Sequence, residues 1–102
     1  VTSADGVLEL VGKTPLLKLH SLSAATGCDV YAKLEYCNPS GSTKDRAALA
    51  IVDTALRDGA LRRGGTVFEG SVGSAGIALA LVAARRGVRC HICMPDDQAL
   101  EK

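Results

Sequence analysis

The chain has 102 residues, 47% of them hydrophobic, and its aromatic residues are one Phe and two Tyr. A core of this composition depends on Ala, Val, Leu and Ile, and the length suits one small globular unit. The net charge of +1 excludes the strongly basic surface that binds nucleic acid. No segment approaches the roughly 20 apolar residues of a membrane span, and the first residues lack a secretory signal. We therefore expect neither nucleic acid nor a membrane as a partner.

The first part of the chain predicts short extended segments joined by polar connectors. Residues 14–19 form an apolar run after a proline turn, which predicts a strand or an extended arm. Residues 21–27 are small and predict a connector that could hold one helical turn. Residues 29–35 alternate and predict a second strand, and residues 36–42 predict a loop.

The remainder of the chain predicts helices and strands in alternation. Residues 43–57 carry apolar side chains at i, i+3, i+4 and i+7 from Ala48, the spacing of a helix with one buried face. Gly59 is expected to end this helix. A strand at 66–69, a helix at 73–86 that is apolar on several faces and a strand at 88–94 follow in that order. They predict one βαβ unit, and Pro95 is expected to turn the chain toward a further helix.

Four cysteines raise the question of a metal site or disulfides. Cys90-x-x-Cys93 has a metal-like spacing, but strand alternation places these two side chains on opposite faces. Cys28 and Cys37 are too far apart in sequence to complete a zinc knuckle. We therefore predict free, buried thiols in a reducing compartment and no metal site. His91 is likewise predicted to be a structural strand residue.

Lys44 lies at the predicted start of a helix, just after a turn that contains proline and glycine. Ser42 and Asp45, three residues apart, have the spacing of a capping box. The positive end of the helix dipole disfavours a charged amine here, whereas the adjacent Asp45 favours it. The position is therefore compatible with a Schiff-base lysine, although a lysine at such a position is more often a solvated surface residue.

A second glycine-rich loop, at residues 70–76, lies between a predicted strand and a predicted helix. Its pattern is G-x-x-G-x-x-G, which differs from the dinucleotide-binding pattern, and no phosphate-loop lysine follows it. Backbone amides at such a helix start can bind a carboxylate or a phosphate. Glycines also serve simply to turn a strand into a helix, and both interpretations remain open from the loop alone.

The nine residues N-P-S-G-S-T-K-D-R, from Asn38 to Arg46, resemble the lysine motif of the fold-type II pyridoxal-phosphate enzymes. The resemblance is to the branch that contains cysteine synthase and cystathionine β-synthase. Further landmarks occur in the same order as in that family: G-K-T-P-L at 12–16, Y-A-K-L-E at 31–35, the loop at 69–76, M-P at 94–95 and E-K at 101–102. The resemblance implies that Lys44 holds the cofactor, pyridoxal 5′-phosphate, as a Schiff base.

The resemblance also assigns roles to the second loop. It implies that Ser71, Val72, Gly73 and Ala75 bind the substrate carboxylate and that Ser74 contacts the cofactor's phenolic oxygen. The chain departs from the common family pattern with Gly70 for proline, Ser71 for threonine, Val72 for serine, Ser74 for asparagine and Ala75 for threonine. It is closer to members with a variant E-G-x-x-G-S loop, so backbone donors are retained while several side-chain donors are lost.

The implied fold is α/β, an open and mostly parallel sheet with flanking helices, as in the tryptophan synthase β-like enzymes. Residues 1–36 would form the N-terminal arm and first strands of a larger domain. Residues 37–102 would form the lysine loop and the start of a smaller αβα domain. The chain thus resembles the N-terminal part of such an enzyme, and the family's phosphate-binding residues would lie beyond Lys102. We expect these 102 residues to be inactive by themselves.

The implied reaction is β-replacement on serine or an O-activated serine by a sulfur nucleophile, in an enzyme that is usually a homodimer. The expected partners are an amino-acid substrate and a sulfur donor, and the expected compartment is the cytoplasm or, alternatively, the mitochondrion. One rival is a serine/threonine dehydratase of the same fold, although that group has an aromatic residue where Thr43 precedes Lys44. Another rival is a catalytically incomplete binding module.

Overall fold

A computed structural model describes residues 3–97. The elements are, in chain order, a 3₁₀ turn (Val7–Leu10), β1 (Leu16–Lys18), α1 (His20–Thr26), β2 (Tyr31–Lys33), a 3₁₀ turn (Glu35–Cys37), α2 (Lys44–Asp58), β3 (Thr66–Gly70), α3 (Ser74–Arg86) and β4 (Arg89–Cys93). The α/β class and both long helices are as predicted. The helix expected after Pro95 lies outside the described residues.

The first unit is a small antiparallel pair of strands connected by a helix. Strand β1 pairs with β2 from Leu16 opposite Lys33 to Lys18 opposite Tyr31. The connector, predicted as one that could hold a helical turn, is the seven-residue helix α1. The helix is longer than predicted because two alanines and no internal glycine or proline allow it to continue. It ends at Gly27, whose φ of 72° is in the left-handed region.

The second unit is the predicted βαβ unit. Strands β3 and β4 are parallel, with Thr66 opposite Arg89 and Gly70 opposite Cys93. Helix α3 connects them and packs against the sheet and against α2. The parallel pair with helices beside it agrees with the predicted α/β architecture, whereas the β1–β2 pair is antiparallel.

The core lies where α2 and α3 meet above the parallel strands. Val52 of α2 and Val82 of α3 are completely buried. Small side chains such as Ala78 and Ala83 are also completely buried and allow close packing of the two helices. The full set of buried hydrophobic residues is Ala48, Val52, Leu61, Ala78, Leu79, Val82, Ala83 and Val88.

Helix α3 is buried on more than one face, as predicted, but it is not enclosed. Its buried residues lie on the faces that pack against α2 and the sheet, whereas Ile77 lies on another face and is 52% exposed. The radius of gyration is 16.9 Å, compared with about 13 Å for a compact domain of 100 residues. The described residues therefore form an extended body whose two units meet mainly through loops.

Among residues 3–97, no helix is long and apolar enough to cross a membrane.

All four cysteines are free thiols, as predicted, but the prediction that they are buried was wrong. Cys28, Cys37 and Cys93 are exposed, and only Cys90 is half-buried. Burial, together with the charge of Glu69, raises the pKa of the Cys90 thiol. Cys90 and Cys93 point to opposite faces of β4, as expected from strand alternation. Within residues 3–97 no three or more His, Cys, Asp or Glu side chains form a group that could hold a metal ion.

Replacing a core valine tests this packing. We expect Val52→Ala to lower the free energy of unfolding by about 2 kcal/mol, from lost burial and the cavity left between the helices. The matched control is Ile51→Ala on the same helix, because Ile51 is 63% exposed. Urea denaturation of both variants measures the difference. An equal loss in the two variants would contradict the described core.

Candidate active site

Lys44 is the first residue of α2, and its side chain is exposed. Its backbone N–H donates to Ser42 Oγ at 3.1 Å. The predicted capping box was wrong, because Thr43 already has helical dihedrals and the helix has no side-chain cap. The Asp45 carboxylate does not reach back to Ser42. It accepts hydrogen bonds from the N–H of Ser40, at 2.8 Å, and from the Ser40 hydroxyl.

This contact of Asp45 with Ser40 closes the loop that leads into the helix. The side chain of Asp45 is completely buried, and a buried carboxylate is tolerated only when hydrogen bonds satisfy it. Both carboxylate oxygens have such a bond to Ser40. The residue next to Lys44 is therefore anchored from inside the loop, which limits the positions that the backbone of Lys44 can adopt.

A second anchor is the Glu35 carboxylate, just after β2. Arg46 donates to it twice, from Nε to Oε1 at 2.6 Å and from Nη2 to Oε2 at 3.1 Å. Thr14 Oγ1 donates to Oε2 at 2.6 Å, and Asn38 Nδ2 lies 3.3 Å from Oε1. Arg46 first, and then Thr14, hold the pKa of Glu35 far below its usual value, and Glu35 in turn raises the pKa of Arg46.

The same arginine also ties the N-terminal turn to the lysine helix. Arg46 Nη2 donates to the carbonyl of Gly12 at 3.1 Å, and the Gly12 N–H donates to Asn38 Oδ1 at 2.8 Å. Gly12 has a φ of 82°, and a Cβ there would lie 2.7 Å from Arg46 Nη1. A side chain at this position would strain the backbone and displace the Arg46 guanidinium. Three motifs that are separate in sequence, at 12–16, 31–35 and 38–46, thus meet around one ion pair.

The glycine-rich loop is organised from within by Ser71. Its Oγ accepts hydrogen bonds from the N–H groups of Gly73, at 3.3 Å, and Gly76, at 3.0 Å. Gly73 is the N-cap residue of α3, and Ser74 is exposed at its first position. Ser71 therefore has a structural role that the sequence did not indicate, and its hydroxyl is partly committed to the loop.

The predicted site residues other than Ser74 lie along two depressions near the start of α3. Lys44 and Ala75 line a small apolar cleft of about 70 Å³ between α2 and α3, together with Glu69. A depression of about 210 Å³ is lined by Ser71, Val72, Gly73, Gly76, Ile77, Ala80, Ile92 and Met94. A larger depression of about 390 Å³ lies away from these loops, against Arg85 and Arg86 and the 3₁₀ turn of residues 7–10.

Sequence reasoning missed Glu35, Asn38 and Glu69 as parts of this region. Glu35 and Asn38 stand inside quoted motifs, but nothing local shows that their side chains meet Arg46 and Gly12. Glu69 ends up beside Lys44 because β3 carries it to the carboxyl end of the parallel strands, where the loop begins. The arrangement offers one exposed primary amine next to a helix start with unsatisfied backbone donors, which suits carbonyl chemistry on an anionic substrate.

Comparisons with known proteins agree with these features. The family model described as "Pyridoxal-phosphate dependent enzyme" matches residues 7–102. A Saccharomyces cerevisiae protein, provisionally named a mitochondrial cysteine synthase, is 57% identical over 100 residues, which are 96% of this chain and 25% of that protein.

Two solved structures are similar in fold and sequence. A hydrogen sulfide-producing enzyme from Fusobacterium nucleatum has a TM-score of 0.92 and 36% identity, over 99% of this chain and 33% of its own. A cysteine synthase from Entamoeba histolytica has a TM-score of 0.90 and 38% identity, over 98% of this chain and 31% of its own. The chain thus spans about a quarter to a third of the length of these relatives.

The loop geometry predicts different effects for its two serines. Ser71→Ala removes the acceptor of the Gly73 and Gly76 N–H groups, and we expect it to lower the free energy of unfolding by about 1–2 kcal/mol. Ser74→Ala is the matched control. It changes an exposed hydroxyl on the same loop and should stay within about 0.5 kcal/mol. Urea denaturation compares the two variants, and equal effects would contradict the structural role of Ser71.

The lowered pKa of Glu35 predicts a pH dependence of stability. Because the folded pKa lies below the unfolded value of about 4.3, the ionised carboxylate stabilises the fold above that pH. The contribution is lost progressively as the pH falls further. We expect the free energy of unfolding to decrease more steeply from about pH 5 to pH 3 in the unchanged protein than in Glu35→Gln. Urea denaturation at each pH measures this free energy. Equal slopes of the free energy of unfolding against pH in the two proteins would contradict the prediction.

Proposed function

The chain belongs to the family of pyridoxal-phosphate dependent enzymes, and on that premise we propose that the intact protein is a cysteine synthase-like enzyme. It replaces the leaving group on the β-carbon of serine or an O-activated serine with a sulfur nucleophile. The observation that carries this proposal is the position of Lys44, an exposed amine at the start of α2 beside Glu69 and Ala75. The relatives named as cysteine synthases support the same reaction.

The residues around Lys44 fit the aldehyde end of pyridoxal phosphate. A Schiff base requires a primary amine that the aldehyde can reach, and the Lys44 side chain is exposed at the edge of an apolar cleft. When bound, the cofactor serves as an electron sink for negative charge on the substrate α-carbon. Lys44 holds the cofactor and, as a free amine, moves the proton at that α-carbon.

The loop before α3 is proposed to hold the substrate carboxylate and the cofactor's ring oxygen. Ser71 already engages the N–H groups of Gly73 and Gly76, so the first-turn N–H groups of Ser74 and Ala75 are the donors left for an anion. Gly73 contributes by its lack of a side chain, which leaves the approach to these amides open. The Ser74 hydroxyl is assigned to the cofactor's phenolic oxygen.

Val72 distinguishes this loop from the common pattern of the family. Its side chain cannot donate a hydrogen bond, so any contribution to carboxylate binding comes from its backbone. Val72 is also 39% exposed and lines the apolar depression with Ile77 and Met94. The proposed carboxylate site therefore depends on backbone amides more than on side chains, with Ser71 holding the amides in place.

The proposal extends to the organisation of the intact protein. We assign residues 1–36 to a larger domain and residues 37–102 to the start of a smaller one. This division is supported by packing, because β1 contacts β2 while α2, α3 and the parallel strands contact one another. The intact enzyme is proposed to be a homodimer in the cytoplasm, and the name of the yeast relative favours the mitochondrion as the alternative.

Replacing Lys44 in the intact protein tests this function. We expect Lys44→Ala to abolish the absorbance of bound cofactor at the edge of the visible range. We also expect it to lower turnover of an O-activated serine with sulfide by about 10²–10⁴-fold, the usual contribution of a positioned acid–base group. The control is Lys18→Ala, which removes the amine of a β1 lysine that is paired with Asp29. If Lys44→Ala keeps both the absorbance of bound cofactor and the turnover, the proposal is refuted.

A further inference from the structure

The Glu35 carboxylate is the point at which the N-terminal turn, the end of β2 and the first turn of α2 meet. A carboxylate offers about four acceptor positions. Arg46 occupies two of them, and Thr14 and Asn38 supply two further donors. Glu35 is therefore saturated with donors from three separate segments.

Two anchored residues follow Lys44 in sequence. Asp45, the next residue, is held by hydrogen bonds from Ser40, and Arg46, two residues on, is held by the Glu35 carboxylate. Residues two apart on a helix do not face each other. The Arg46 side chain thus points toward Glu35 while the Lys44 side chain stays free to face the cleft with Ala75.

Arg46 does more than neutralise the charge of Glu35, because its contact with that carboxylate also fixes the position of the first turn of α2. Its planar guanidinium makes a two-pronged contact with Glu35, which constrains both distance and angle. The same guanidinium reaches the Gly12 carbonyl and Thr14 Oγ1. The first turn of α2 is therefore held against the N-terminal turn by several hydrogen bonds at once. Together these bonds restrict the turn to a single orientation.

We infer that Glu35 is a positioning residue: through Arg46 it fixes the first turn of α2 so that Lys44 presents its amine to the cofactor in one position. The inference rests on the proposed function of Lys44. Glu35 itself has no contact with cofactor or substrate in the proposed arrangement. Its effect arises because a displacement of about 1 Å in a reacting group can cost up to about 100-fold in reactivity.

The chain offers a matched control at the other end of the helix pair. Arg86 of α3 donates from Nε to Asp53 Oδ1 at 2.7 Å and from Nη2 to Asp53 Oδ2 at 2.9 Å. This contact has the same two-pronged geometry, and the two arginine side chains are similarly exposed, at 42% for Arg46 and 39% for Arg86. Asp53→Asn therefore removes an equivalent ion pair without touching the first turn of α2.

The experiment compares Glu35→Gln, Arg46→Lys and Asp53→Asn in the intact protein. Each is mixed with limiting pyridoxal phosphate and reduced with borohydride, and mass spectrometry quantifies the modified Lys44 peptide relative to the Lys18 peptide. Visible absorbance before reduction gives a second readout, and thermal melting reports stability. We expect Lys44 modification to fall about tenfold or more in Glu35→Gln and in Arg46→Lys. It should remain within about twofold of the unchanged protein in Asp53→Asn.

The outcomes separate the inference from the function on which it rests. An unchanged protein that is not modified at Lys44 would refute the proposed function, and the inference with it. Normal modification in both the unchanged protein and Glu35→Gln would overturn the inference alone. An equal loss in Asp53→Asn would also overturn it, because the effect would then be one of general stability. If Glu35→Gln does not fold, Arg46→Lys decides, since it keeps the charge but not the two-pronged contact.

Discussion

The Glu35–Arg46 ion pair joins two units that otherwise share little packing. The antiparallel β1–β2 pair and the layer of α2, α3 and the parallel strands each pack within themselves. Isolated exposed ion pairs contribute little to stability, but a two-pronged pair inside a hydrogen-bond network constrains geometry. The donors of Thr14 and Asn38 and the close approach at Gly12 make this contact such a network. The orientation of the lysine helix relative to the N-terminal turn follows from it.

The parallel strands and α3 supply the other half of the candidate site. The carboxyl ends of β3 and β4 lie side by side, so the loop after β3 forms at the same edge as the start of α3. Small residues on α3, such as Ala78 and Ala83, let α2 approach closely. This packing brings the first turn of α2, and with it Lys44, beside Ala75 of the glycine-rich loop. The site is thus a consequence of helix packing as much as of the two motifs.

Under the proposed function, the altered loop offers an anion its backbone N–H groups where the common motif offers side-chain donors. Ser71, interpreted from the sequence as a substrate ligand, accepts two N–H groups of its own loop. This leaves the helix-start amides of Ser74 and Ala75 as the main donors for an anion. A loop that depends on backbone donors tolerates the loss of side-chain donors at positions 72 and 75. The family chemistry and the variant loop are therefore compatible.

The sequence by itself determined the elements that depend on local physics. The apolar period of α2, its glycine end at Gly59 and the strand–loop–helix around the second loop were all readable from neighbouring residues. The short connector α1 was underestimated because helix propensity is weak over seven residues. Only the tertiary structure decided that Glu35 binds Arg46 and that Asp45 turns inward to Ser40. The contacts of Arg46 with Glu35 and Gly12 depend on how separate segments meet, and hydrogen bonds between groups 11 and 34 residues apart leave no periodic signal in the sequence. Asp45 and Ser40 are only five residues apart, but their contact depends on the path of the loop between them.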